Sequence, residues 1–269
     1  MFDSNTGFRP LALSSLRSGL HTDAEMKRRT LIATLVAVLG GCGPTGGTDV
    51  GNGRTISFRL EGREAAAPAG AKSLQLSSGV TLDEVWVAID RVRLEPLSSC
   101  DVELGEIDIE GPIVADLVSR QQLGPSSFVS FDDQFCRLRV RFREIDLPSA
   151  PAGTPSALEG SSILVTGSRA DGVPFVVRSD LNERLELQAL AGGFTLEGDF
   201  ATMLVAYELG GWIAALDLDS LAGPSIVIDD EQNDDRLDAF ESAVEASAEL
   251  YDDRDDDGAL GPDDDLVAN

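Results

Sequence analysis

Between about residue 54 and residue 228, apolar and polar side chains alternate over short runs separated by Gly, Pro, Ser and Asp. A period of two marks half-buried strands, whereas an amphipathic helix repeats every three to four residues. The clearest run is Cys136-Arg137-Leu138-Arg139-Val140-Arg141-Phe142-Arg143, which sets Cys, Leu, Val and Phe on one face and four arginines on the other. The alternation therefore points Cys136 into the core. Comparable runs over 55–61, 81–94, 102–109, 112–118, 162–167, 174–178, 184–187, 194–196 and 203–209 predict further strands. Strands at roughly 8–12-residue spacing with no long helices between them predict an all-β fold, an antiparallel sandwich.

Stretches 63–71, 148–161 and Gly210-Gly211 read as loops, and 212–216 fits a short helix or a strand. Trp86 and Ala88 face away from Val85, Val87 and Ile89, so both faces of that strand are apolar and Trp86 is expected to be buried. Trp212 beside the two glycines is read as packed, with a surface contact as the alternative. The row Arg137, Arg139, Arg141, Arg143 could hold an anionic ligand. Its expected state is a solvated face paired with Glu103, Glu106, Asp108 and Glu110 on neighbouring strands.

The pattern changes after residue 228. Residues 229–269 hold 17 Asp+Glu against only Arg236 and Arg254. Leu237, Phe240, Val244, Ala248 and Tyr251 recur at three- and four-residue steps and predict a helix of roughly four to five turns. Asn233 or Asp234 is placed to cap it, and acidic residues in the first turn suit the helix dipole.

Directly after that run stands Asp253-Arg254-Asp255-Asp256-Asp257-Gly258-Ala259-Leu260. With Asp253 as position 1, side-chain oxygens fall at 1, 3 and 5, Gly258 at 6, the Ala259 carbonyl at 7, an apolar residue at 8 and Asp264 at 12. Carboxylates at every second position of a tight loop converge on one point, and Ca²⁺ takes six to eight oxygens at about 2.3–2.6 Å. The segment resembles the calcium loops of EF-hands and dockerins, and Asp264 in place of a bidentate Glu leans toward the dockerin type. The resemblance implies Ca²⁺ ligands at Asp253, Asp255, Asp257, Ala259 and Asp264, in a half-hand without a full exiting helix. The ion's expected role is structural, relieving repulsion among crowded carboxylates; an acidic solvated tail is the alternative.

The start of the chain carries an address. Met26-Lys27-Arg28-Arg29 precedes an apolar run over 30–39 and then Gly40-Gly41-Cys42. The apolar run is about half the length a membrane-spanning helix requires. Leu39-Gly40-Gly41-Cys42 resembles the lipobox of bacterial lipoproteins. That resemblance implies a signal region over 1–41, with Met26 as the expected start, and lipidation of Cys42. The Gly-rich segment 43–53 suits a flexible tether. In that family the residue after the cysteine influences sorting between membranes, so the resemblance implies the outer membrane, Gly43 standing where an aspartate would imply inner-membrane retention. The layout also resembles uncharacterised envelope lipoproteins with immunoglobulin-like or transthyretin-like sandwiches, expected here over 54–228, with the acidic region 229–269 appended.

Composition narrows the function. The formal charge is −26, from 21 Lys+Arg and 47 Asp+Glu, which disfavours nucleic acid and anionic lipid headgroups as partners. At 42% hydrophobic residues the chain still has enough apolar side chains for a core. Cleavage before Cys42 would remove His21, the single histidine, and with it Ser-His-Asp, Cys-His and zinc-histidine chemistry. Cys100 and Cys136 then remain as a pair, with a disulfide the default in an oxidising compartment and two free thiols the alternative. The expected function is a non-enzymatic envelope protein that binds a protein or glycan partner or organises the envelope. Two alternatives stand beside it: a carbohydrate-active enzyme using a carboxylate pair, and a calcium-dependent docking module.

Overall fold

The computed structural model describes residues 53–63, 72–100 and 107–269. The signal region, Cys42, most of the tether, nearly all of the 63–71 loop, and Glu103 and Glu106 lie outside the described residues. Within them the strands are β1 (Arg54–Arg63), β2 (Leu74–Gln75), β3 (Thr81–Pro96), β4 (Ile107–Asp116), β5 (Gln121–Leu123), β6 (Ser127–Ser130), β7 (Gln134–Phe142), β8 (Ile163–Ser168), β9 (Pro174–Ser179), β10 (Arg184–Gln188), β11 (Phe194–Thr195), β12 (Phe200–Glu208), β13 (Ile226–Ile228), β14 (Ala248–Asp253) and β15 (Asp265–Ala268). Two helices, α1 (Leu209–Ala215) and α2 (Asp234–Ala246), complete the set apart from short 3₁₀ turns.

The strands form two sheets. One runs β15-β14-β12-β1-β6; the other runs β10-β7-β3-β8-β9-β13, with β4 on the free edge of β3 and β5, β2 and β11 attached. Ile56, Phe58 and Leu60 of β1, Met203, Val205 and Tyr207 of β12, and the inward residues of β3, β7, β8 and β9 enter a single hydrophobic cluster. A line of edge-on aromatic contacts crosses it, from Phe142 through Tyr207 and Trp212 to Phe240, with ring centroids 6.1, 5.4 and 5.6 Å apart. Such contacts favour fixed ring orientations beyond the area they bury.

The expected all-β fold is present, but the expectation of purely antiparallel pairing is corrected twice: β1 runs parallel to β12 and β13 parallel to β9. Hydrophobic alternation carries no strand direction, and both pairs join segments far apart in sequence. The described part of the expected run 102–109 and most of the run 112–118 form one strand, β4, continuous through a cis Gly111–Pro112 peptide.

β3 shows how the alternation is interrupted. Val85, Val87 and Ile89 face the main core, and then the phase switches to Val92 and Leu94. The switch is a bulge at Asp90, where pairing jumps from Ile89 to Arg91 against both β4 and β7. An extra residue in one strand shifts every later side chain to the other face. Before the bulge, the opposite face carries Trp86 and Ala88, buried with Val114, Ile145, Leu158 and Leu164 in a second cluster, as expected for Trp86. After it, that face carries Arg91, Arg93 and Glu95.

A second irregularity, at Glu95 and Pro96, moves Phe135 rather than Cys136 into phase with Leu138 and Val140 in the core. Cys136 is therefore buried outside the main core, correcting its expected orientation, and is joined to Cys100 by a disulfide.

Gly210-Gly211, read as a loop, lies within α1, where the Glu208 side chain accepts a hydrogen bond from the Gly211 amide at 2.7 Å. Trp212 on that helix is 1% exposed and donates to Ser247 Oγ at 2.6 Å. The acidic helix α2 buries Leu237, Phe240 and Val244 but ends at Ala246. Ala248 and Tyr251, assigned to the helix by their spacing, stand on β14, paired with β12. Three residues of that stripe are helical; the remaining two match the helical spacing by coincidence and instead satisfy the open edge of β12. Of the two expected caps, Asn233 holds the N-cap position, its carbonyl accepting the Arg236 amide at 2.9 Å, but its side chain makes no capping bond and donates through Nδ2 to the Val227 carbonyl at 2.6 Å; Asp234 is the first helical residue.

Candidate metal centre

The acidic loop is entered from β14 and left through β15, two antiparallel neighbours in the first sheet. It is a hairpin connection, so the expected helix–loop geometry is corrected. Position 1, Asp253, is the last residue of β14, and its side chain is 3% exposed. Side chain-to-amide bonds curl the chain: Gly258 N–H donates to Asp253 Oδ2 at 2.8 Å, Asp257 N–H to Asp255 Oδ1 at 3.3 Å, and Ala259 N–H to Asp257 Oδ1 at 2.8 Å. Aspartate favours such local bonds, which bend the backbone at every second residue. Gly258 stands at φ +74°, and a Cβ there would lie 3.0 Å from Arg59 Nε on β1, so glycine answers both a backbone and a space requirement.

The bends bring carboxylate oxygens of Asp253, Asp255 and Asp257 within 4.8 Å of one another. Asp253 Oδ1 is buried without a hydrogen-bond partner. Burial, opposed by the Gly258 amide and reinforced by Asp255 and Asp264, pushes the Asp253 carboxyl up to about 6. Three crowded carboxylates with one orphaned buried oxygen form a donor set suited to a hard divalent cation.

Asp264, the expected ligand at position 12, is placed differently. Asp264 is not in the convergent triad: its oxygens accept from Arg254 N–H at 3.0 Å and Gly261 N–H at 2.6 Å, closing the loop across its neck. Ala259 donates its amide to Asp257, while Leu260 at position 8 is half-buried.

Sequence reading did not find the floor of this site. Glu61 on β1, 3% exposed, accepts the Leu260 amide at 3.0 Å and pairs with Arg120 at 2.6 Å. Burial raises its pKa against those two partners. On β14 next to Asp253, Asp252, whose pKa burial also raises, pairs with Arg254 Nε at 3.1 Å, and Arg254 reaches on to Asp265 at 2.5 Å. The only signal in the sequence is an acid on the polar phase of β1, after Ser57 and Arg59.

The arginine row does not pair as expected. Arg137 and Arg139 are held by Glu95 and Glu186, and Arg141 and Arg143 reach Asp90 at 3.7 and 3.5 Å. Asp108 and Glu110 serve Arg91 and Arg93 instead. Elsewhere, a cleft of about 490 Å³ is lined by Asp90, Arg143, Glu144, Asp146 and Glu159, but no aromatic ring lines it. Asp90 is engaged by arginines and Glu159 accepts the Leu147 amide at 2.7 Å. Among the described residues, no helix is long and apolar enough to cross a membrane. No protein-family model, no curated protein and no solved structure matches this chain.

Proposed function

We propose that the chain is a non-enzymatic envelope protein, anchored to the outer membrane through lipid on Cys42, with an immunoglobulin-like or transthyretin-like sandwich and a structural calcium site in the β14–β15 loop. Its role is to bind a protein or glycan partner or to organise the envelope. The observation that carries the calcium assignment is the buried, unpartnered Asp253 Oδ1 within a triad whose oxygens lie within 4.8 Å of one another. The anchoring rests on the residue order from Met26 to Cys42. With no signal helix retained, the domain hangs from the lipid by the glycine-rich tether.

Two measurements test this reading. Calorimetric titration of Ca²⁺ into chelator-treated protein is expected to give heat with a dissociation constant of about 10⁻⁴–10⁻³ M, the range of extracellular modules. Loss of that heat in Asp255→Asn supports the site; no heat from the native protein removes it. Intact mass of protein isolated from its native membrane is expected to show a lipidated chain beginning at Cys42, and an unlipidated chain that includes earlier residues overturns the anchoring.

A further inference from the structure

The outward face of the second sheet carries a charge pattern that only the strand register reveals. Along one row, Arg184 of β10 stands opposite Arg141 of β7, which stands opposite Arg91 of β3, with Glu110 of β4 at the end. The next row reads Glu186, Arg139, Arg93, Asp108. This second row is balanced: Arg139 Nε lies 2.9 Å from Glu186 and Arg93 Nε 2.8 Å from Asp108. In the first row three cations face one carboxylate. Like charges directly opposite on neighbouring strands destabilise a sheet, so this row needs an anion that the chain does not supply in full.

The contacts agree. Arg91 is only 3.8 Å from Glu110 and 4.0 Å from Asp108, and its Nε is buried with no hydrogen-bond partner. Arg141 reaches Asp90 only at 3.7 Å, and Arg184 has no ionic partner among the described residues. Arg91, Arg93, Arg139, Arg141 and Arg184 line one cleft of about 30 Å³. That volume admits roughly two water-sized groups, enough for two oxygens of one oxyanion whose remaining oxygens stay in solvent, and too little for an extended ligand. Guanidinium forks bind phosphate oxygens bidentately, and a phosphate monoester carries about −1.5 to −2 charges near neutral pH. The protein's strongly negative total does not oppose this locally, because charges beyond about 8 Å are screened at physiological salt.

We propose that the Arg91–Arg141–Arg184 row is a binding site for one phosphate group, free or at the end of a monoester. It is independent of the calcium loop and of the lipid anchor.

The test is calorimetric titration of the full chain with inorganic phosphate in calcium-free buffer at constant ionic strength, beside Arg184→Gln and Arg141→Gln. Melting curves confirm that the variants are folded. Arg236→Gln, on α2, is the control for general charge loss. The native protein and the control are expected to bind phosphate at millimolar concentrations or below, with affinity reduced about tenfold or more in each row variant, as for loss of one charged hydrogen bond. Glycerol phosphate and vesicles of phosphatidic acid in phosphatidylcholine separate a soluble monoester from a lipid headgroup as source. Absence of phosphate binding by the native protein overturns the proposal, as does equal weakening by Arg236→Gln.

Discussion

The Leu260 amide donates to Glu61 Oε2 at 3.0 Å, tying the apolar position of the acidic loop to the first strand, 199 residues earlier. Arg120 completes the arrangement from the β4–β5 connection. The loop is thus fastened to the sheet from beneath, independently of any ion above it. Glu61→Ala leaves the Leu260 amide and Arg120 without this carboxylate and is expected to cost roughly 3 kcal/mol, as for breaking a buried pair. Urea unfolding in chelator checks this, and hydrogen exchange at Leu260 is expected to accelerate.

Tyr207 is fully buried, its ring packed between Phe142 and Trp212, and its hydroxyl has no hydrogen-bond partner. Burial alone pushes the phenol far above its usual range. Tyr207→Phe keeps both ring contacts and removes the unsatisfied group. It is expected to stabilise the protein by about 1 kcal/mol, a rise of roughly 2–4 °C in Tm.

Glu241 on α2 accepts from Ser179 Oγ at 2.6 Å, and burial raises its pKa, with Asp180, Asp238 and Glu245 adding to the rise. A carboxyl whose folded pKa lies above its unfolded value binds more protons in the folded state, so its ionisation opposes folding at neutral pH. Glu241→Gln keeps an acceptor for Ser179 without the charge. The variant is expected to be more stable than the native protein at pH 7, with the difference shrinking as pH falls toward the ordinary carboxylate range. Thermal melts across pH 4–8 check this.

The Cys100–Cys136 disulfide closes a loop across 36 positions. On the chain-entropy account, its removal costs about 3–4 kcal/mol. Paired Cys→Ser substitution, followed by denaturant unfolding, measures this without a reducing agent.

The strand content, the burial of Trp86 and the acidic triad were legible because each is written in local spacing. Strand direction was not, since β1 with β12 and β9 with β13 pair across long sequence distances and their alternation is the same in either direction. Phase was lost at Asp90 and again beside Pro96, where bulges shift the inward set by one residue and turn Cys136 off the main core. The apolar stripe of α2 runs on past the helix in the sequence because Ala248 fits both a helical step and the first inward position of β14. At the site, Asp253, Asp255 and Asp257 could be read from one segment, whereas Glu61 and Arg120 are distant in the chain and meet the loop only through folding. The Arg91–Arg141–Arg184 row likewise exists only once β3, β7 and β10 are in register.

Asp253, Asp255 and Asp257 are proposed to hold a divalent cation that satisfies the orphaned Asp253 oxygen. The most direct measurement is a crystal structure from calcium-containing solution, with anomalous scattering to locate the ion. An anomalous peak is expected about 2.3–2.6 Å from oxygens of all three aspartates, including Asp253 Oδ1. A fully occupied loop of this sequence with no ion between the three carboxylates, at calcium concentrations above the millimolar range, would contradict it.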